Sequence, residues 1–367
     1  MGKKFSSLLK KQPVWFAQAG DGEEDIILGT MVRSVRNVAG HRFPGWSTAE
    51  NRKAVADLLV PAVMNLPGNK STAFCAEVKD LSYVERRVLL ERKQISQCLA
   101  ARQDGCHLII NGKQDAVFMI NEEEHLVMHL FSPYTDYTEL VKKARKITST
   151  LEKNIPFARS SNGDYLTSMP VEAGTGIQLY TLMHLPALNC MGMMQQISRG
   201  LEKLMLNISP LYPNLRDDSA NLFVIFSPPI LQGTEDEMIS HLDLTCLTLE
   251  RRELEVRYKL RSHPYTNNIL PDMVGRAYGL CRYAARLEYT EFLHILSMLR
   301  FGAVDDYIPV LTDDYIDFLT QFYMHGAPYH IQYITDNAQI DIERCRVILC
   351  QKILKNFHSP RHDSYYE

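Results

Sequence analysis

The sequence predicts helices and strands mixed over roughly its first 260 residues, followed by a smaller, mostly helical domain. Three observations predict it. The runs CHLIING and KQDAVFMINEEEHLVMHLFSP alternate or concentrate apolar residues and are joined by an Asn-Gly pair at 111–112, the pattern of paired strands. NLFVIFSPPIL, 221–231, is a β-rich apolar run stopped by two prolines. Residues 234–260 form the clearest helical segment; SHPYTNNIL then marks a boundary, and helical patterns dominate beyond it.

The remaining elements follow in order. Residues 1–24 read as a short, basic, partly amphipathic arm, and 25–37 open with an extended run. Ser47 or Thr48 is a suitable cap, with Glu50 behind it, for a helix running to about Leu66, in which Pro61 is disfavoured and marks a break. Residues 72–81 are a candidate strand, and 82–97 carry apolar and charged positions at helical spacing. Residues 136–153 form a helix with Leu140, Ala144, Ile147 and Leu151 on one face. Residues 155–169 return to extended structure, interrupted by Asn162-Gly163. Residues 177–206 read as mainly helical, with a break or kink at Pro186. Thr234 and Glu237 have capping-box spacing for the long helix. Beyond the boundary, 273–301, 311–323 and 340–356 are mostly helical.

Composition narrows the function classes. The chain has 367 residues, 46% hydrophobic and 23% charged, which is ordinary for a globular protein with more than one domain. Forty basic against 43 acidic residues give a net charge of -3, which argues against nucleic acid as a main partner. None of the eight cysteines forms a CxxC pair, which argues against a zinc cluster. The N-terminal segment has no apolar run long enough for a signal peptide or membrane span. Gly2 and Ser6 meet the bare myristoylation spacing, but the Lys-rich context and the lack of a second anchor argue against it. The expected setting is cytoplasmic, with reduced thiols and no membrane.

Five strings carry a family resemblance: DIILG with VRSVRN and RFP, ERRVLLERKQIS (85–96), NEEEHL (121–126), YLTSMP with GTG (165–176), and MHLPAL (183–188). Together they resemble the ATP:guanido phosphotransferases, in the bacterial protein-arginine kinase branch, over essentially the whole chain. The resemblance implies an α+β guanido-kinase fold: an antiparallel sheet flanked by helices, with a small helical C-terminal domain. It divides the chain into the arm 1–24, a phosphotransferase-like domain 25–260 and a C-terminal domain 261–367. In that family arginines hold the ATP phosphates with Mg2+, because fixed guanidinium forks match phosphate oxygens. Carboxylates align the attacking guanidinium, a poor nucleophile while cationic and delocalised.

Position by position, the resemblance exposes departures. The family's RxRxxR cluster falls on Met31, Arg33 and Arg36, so its first arginine is a methionine. In NEEEHLVMH, Glu123 matches the glutamate that acts on the guanidinium, Glu124 replaces an aspartate, His125 is kept, and Val127 replaces a phosphate-binding arginine. The family's Cys-Pro-Thr-Asn reads Met169-Pro170-Val171-Glu172; Gly174 and Gly176 persist, and Gln178 takes the place of the next arginine. An ungapped reading sets Ser209 on a further arginine and Asn214 on the second catalytic glutamate, with Asp217 and Asp218 close by. The branch's phosphoarginine-reading motif falls on 342–347, where Arg346 is identical, Glu343 keeps the acid and Ile342 loses an arginine.

Vestigial catalytic candidates are therefore Glu123 and Glu124. Nucleotide-site candidates are Arg33, Arg36, His125 and Gln178, and Arg346 is the phosphoarginine candidate. Without the resemblance, the same residues read as a surface arginine pair, an acidic turn and a solvated helix face. The leading expectation is a degenerate family member, a pseudokinase without cofactor that acts as a scaffold or regulatory partner in bacterial protein quality control. The resemblance implies a small zinc-binding activator-like protein as its partner, and a homodimer. The alternative is an active protein-arginine kinase using ATP and Mg2+, in which Arg87, Arg92 or Lys93 supplies the missing charge. A third reading is a nucleotide-binding regulator without turnover.

Overall fold

A computed structural model describes residues 2–16, 26–102, 104–213, 220–231, 233–305, 307–310, 323–336 and 340–359. The expected helix at 311–323 falls outside these residues except for its last position, as do Asn214, Asp217, Asp218 and the end of the N-terminal arm. The centre of the fold is an eight-stranded sheet in the order β2-β3-β4-β5-β1-β6-β8-β7. Its strands are β1 (Ile27–Arg36), β2 (Phe74–Glu77), β3 (His107–Ile110), β4 (Ala116–Ile120), β5 (Leu126–Ser132), β6 (Ile177–His184), β7 (Asn207–Pro210) and β8 (Leu222–Phe226). The pairs β2–β3, β3–β4, β4–β5 and β5–β1 are antiparallel. With helices packed against this sheet, the fold is α+β, as the sequence predicts.

Two compact units divide the chain. The first comprises 1–17, 29–181 and 226–243; the second comprises 18–28, 182–225 and 244–367. In the first, α1 (Gly2–Leu9) buries Phe5 edge-on to Phe74 at 5.8 Å. Helix α2 (Ala49–Met64) starts at Thr48, whose hydroxyl accepts from Asn51 N–H at 3.3 Å. Contrary to the expected break, α2 passes through Pro61: the carbonyl that loses its donor belongs to Asp57, an exposed residue on the solvent side of the helix. Helices α3 (Tyr83–Glu91) and α4 (Gln97–Ala101) follow, then α5 (Tyr137–Glu152), which packs on β5.

Across the boundary between the units the expectation of helix over 177–206 is corrected, with 177–181 in the first unit and 182–206 in the second. Ile177–His184 is strand β6, and only Pro186–Cys190 (α6) and Met194–Lys203 (α7) are helical. The alternation of buried Ile177, Leu179 and Thr181 with half-buried Gln178 and Tyr180 is a period of two. Pro186 kinks nothing, because it sits at the first position of α6, where no donor is needed. Helices α8 (Glu235–Ser262, begun in the first unit), α9 (Ile269–Tyr283), α10 (Tyr289–Val304), α11 (Pro328–Ile334) and α12 (Ile342–Ile353) complete the described structure. At the start of α8 the Thr234 hydroxyl donates to Leu231 O at 2.9 Å. Among the described residues, no helix is long and apolar enough to cross a membrane.

Candidate active-site face

Strand alternation decides which candidates meet. In β1, Met31, Arg33 and Val35 share one face with their β5 partners Phe131, His129 and Val127. Arg33 lies across the ladder from His129 and donates to Gln178 Oε1 at 2.9 Å; Glu172 approaches to 3.9 Å. Tyr180 donates to the same Gln178 oxygen at 3.3 Å and stacks on Phe226 at 5.6 Å. The two places where the family has arginines hold Met31 and Val127, both buried apolar side chains. Arg33 is thus the one guanidinium on this face among the described β1 and β5 residues, and both its partners stand where the family has an asparagine and an arginine. Burial, with Arg33 beside it, pushes the His129 imidazole down to about 3, so this ring is a neutral wall at neutral pH.

Arg36 is not part of that face. Three residues on from Arg33, it points to the other side of the sheet, where its guanidinium lies 3.6 Å from the Tyr165 ring centroid. Its Nη1 donates to Thr175 O at 3.0 Å. The structure therefore separates two residues that the sequence grouped.

The β4–β5 turn carries the acidic run. Glu123 is exposed. Glu124 is buried and accepts from Asn37 Nδ2 at 2.5 Å, Ser168 N at 2.9 Å and Ser168 Oγ at 2.7 Å. Burial raises its pKa, and the Asn37 and Ser168 donors work against that rise. His125 has both nitrogens committed: Nδ1 accepts from Val38 N–H at 3.0 Å and Nε2 donates to Arg42 O at 2.9 Å. Burial pushes it down to about 4. Its ring ties β5 to the loop after β1 and has no nitrogen left for a nucleotide.

The opening segment keeps its backbone shape. Gly174 and Gly176 have φ of +150° and +63°, and a Cβ on Gly176 would lie 2.7 Å from both Val35 O and Arg36 Nη1. Gly176→Ala should therefore cost at least about 2 kcal/mol from left-handed strain plus overlap. Urea unfolding checks this; a change below about 0.5 kcal/mol would contradict the crowding. Met169 and Val171 stand exposed, so this segment presents apolar side chains where the family has a thiol and a hydroxyl.

The other candidates lie elsewhere. Ser209 lies in β7 in the second unit. Arg346, on α12, is buried; it donates to Gly326 O at 2.8 Å and Leu287 O at 3.0 Å, with Tyr289 beneath it at 5.3 Å. Arg92 is buried too, and donates to Gln94, Lys11 O and Gln114 rather than to the Arg33 face. His129 and Tyr180 were missed in the sequence. The alternation Val127, His129, Phe131 was the available signal for the first.

Known proteins fit this architecture. Residues 54–254 match the family model described as ATP:guanido phosphotransferase, C-terminal catalytic domain, and 267–364 match the protein-arginine kinase McsB C-terminal domain. The protein-arginine kinase of Desulforamulus reducens is 30% identical over 294 residues, covering 78% of this chain and 80% of its own. That of Moorella thermoacetica is 28% identical over 341 residues, covering 92% and 95%. Among solved structures, lombricine kinase aligns with a TM-score of 0.55 at 16% identity, over 68% of this chain and 71% of its own. The duplicated taurocyamine kinase of Schistosoma mansoni, with bound transition-state-analogue components, gives 0.57 at 17% identity, over 73% of this chain and 38% of its own. These two carry the fold alone. The catalytic-domain match and the Desulforamulus relative carry more, and by them the chain belongs to the ATP:guanido phosphotransferase family, in its protein-arginine kinase branch.

Proposed function

We propose that this chain is a family member that has lost most phosphoryl transfer and works as a scaffold or regulatory protein. The observation that carries the reading is the charge balance of the Arg33 face. The one guanidinium on it among the described β1 and β5 residues is shared between Gln178 and Glu172, while Met31 and Val127 are buried and apolar. A magnesium-bound triphosphate needs several fixed cations around it, and replacing any one bidentate arginine removes a few kcal/mol of transition-state stabilisation. The residues present fit that group poorly. Glu172 adds repulsion where a phosphate would approach Arg33. Arg92, one candidate source of replacement charge, has its donors occupied elsewhere.

The partner in this reading is a protein, of the small zinc-binding activator kind that the branch resemblance implies; the exposed Met169 and Val171 offer apolar contact beside the old opening segment. The second reading, an active protein-arginine kinase using ATP and Mg2+, is favoured by Glu123, which is exposed at the turn where the family's guanidinium-aligning glutamate belongs. Incubating the protein with Mg-ATP, an arginine-rich protein substrate and an activator-like partner, then measuring phosphoarginine, separates the two. Background-level phosphoarginine is expected. Turnover within tenfold of an active relative would overturn the proposal.

A further inference from the structure

The face of the sheet opposite Arg33 holds a cavity of about 360 Å³, lined among others by Arg36, Arg145, Thr148, Glu152, Tyr165 and Glu235. All of these belong to the first compact unit. Arg36 and Thr148 are each only 2% exposed, and each carries a buried polar atom, Nε and Oγ1, with no hydrogen-bond partner among the described residues. Native interiors rarely leave such atoms unsatisfied; where they do, a water or an ion usually completes them.

The charges around the cavity show what would complete these two. Glu152 is held by Arg159 at 2.8 Å and by the Tyr165 hydroxyl at 3.0 Å. Glu235 is held by Arg145 at 2.7 Å. Two carboxylates thus neutralise two of three guanidiniums, and Arg36 is left over. Among the described residues no carboxylate comes within ion-pair distance of it, and its direct company is the Tyr165 ring, Val35 O and Thr175 O. Burial lowers its pKa only to about 10, so it remains charged at neutral pH. A buried cation whose neighbouring carboxylate, Glu152, is already paired with Arg159 is only partly compensated, and a hydroxyl donor on the same cavity wall matches an oxyanion rather than a cation.

We infer that this cavity is a binding site for one small oxyanion, a carboxylate or a phosphate, held by Arg36 and Thr148. The site is separate from the Arg33 face, because Arg33 and Arg36 project from opposite sides of β1. With one partly compensated positive charge and two acidic walls, it favours a singly charged ligand over a multiply charged one. The inference stands whether or not the Arg33 face binds nucleotide.

Thermal-shift titrations with inorganic phosphate and with acetate, against chloride at matched ionic strength, test it on the whole protein. The wild type should show a saturable stabilisation beyond the chloride control with at least one of the two anions. The stronger of the two identifies the ligand source. Thr148→Val, which keeps shape and removes the hydroxyl, should weaken the apparent affinity at least threefold. Arg33→Met should leave it within twofold. Arg36→Gln should abolish it, and if that variant fails to fold, Thr148→Val decides. A titration unchanged by Thr148→Val, one abolished by Arg33→Met, or no saturable shift over chloride would each overturn the site; in the last case water fills the cavity.

Discussion

Replacing Glu253 with leucine should destabilise the protein by about 3–5 kcal/mol, the largest single-residue effect expected here. Glu253 is fully buried on α8 in the second unit. Its Oε1 accepts from Ala187 N–H and its Oε2 from Leu188 N–H, both at 2.9 Å, which caps the first turn of α6. The same Oε1 accepts from Arg257 Nε at 2.9 Å, and Arg257 reaches Asp305 at 3.3 Å. Leucine removes the acceptor for two backbone donors and leaves a guanidinium buried beside one remaining carboxylate. Burial raises the Glu253 pKa while Arg257 and the two amides lower it, so the carboxylate depends on those partners. Glu253→Gln should cost clearly less, because one acceptor oxygen survives. The double variant Glu253→Leu/Arg257→Met should recover part of the loss, since the guanidinium that lost its Glu253 partner goes with it. Urea midpoints give all three values; a Glu253→Leu cost below about 1 kcal/mol would show that the cluster does not hold α6 in place.

Acid should destabilise the fold before most carboxylates titrate. An imidazole unfolded has a pKa near 6.5, whereas burial holds His125 down to about 4 and His129 to about 3. His184, whose Nε2 meets Ser297 Oγ at 2.7 Å, is held well below its ordinary value by burial and then by Arg300 and Arg257. For such groups the unfolded chain binds the proton first. Their contribution is fully present above pH 6.5 and is lost as pH falls from there towards the folded values, by about 2 kcal/mol for each of His125 and His129 at pH 5. Glu124 and Glu253 pull the other way, because their raised pKa values let the folded state take up protons earlier than the unfolded chain. A net loss of stability between pH 7 and pH 5 is expected from urea unfolding, and a gain over that range would contradict it. Imidazole spectra at pH 5 should still show His125 neutral, since a proton on Nδ1 would break its bond from Val38 N–H. A protonated His125 ring at pH 5 in the folded protein would contradict that geometry.

Local chemistry made much of the fold legible. Thr48 announces α2, two prolines end the β8 run, and Asn111-Gly112 marks the β3–β4 turn. Where the reading failed, two signals competed. Ile177–His184 holds Leu, Gln and Met, which favour helices, and its alternation was outweighed until pairing within the sheet settled it. The site was legible as a set of replacements but not as an arrangement. Arg33 and Arg36 are one motif on paper, and only their odd spacing hints that they serve different faces. Nothing local foretells that α5 supplies Thr148 and Glu152 to the Arg36 side, or that Ser168 and Asn37 wrap Glu124. Those contacts join segments far apart in the chain. His125 likewise matches the family letter while its ring is occupied by Val38 and Arg42 backbone groups, a role that only tertiary structure reveals.

The proposal that the Arg33 face lacks the charge to hold a triphosphate is tested most directly by calorimetric titration of the pure protein with Mg-ATP. Met31, Val127 and Gln178 supply no positive charge, and Gln178 and Glu172 both engage Arg33, so the expected result is no saturable heat up to millimolar nucleotide. Saturable binding in the micromolar range, abolished by Arg33→Met, would contradict it.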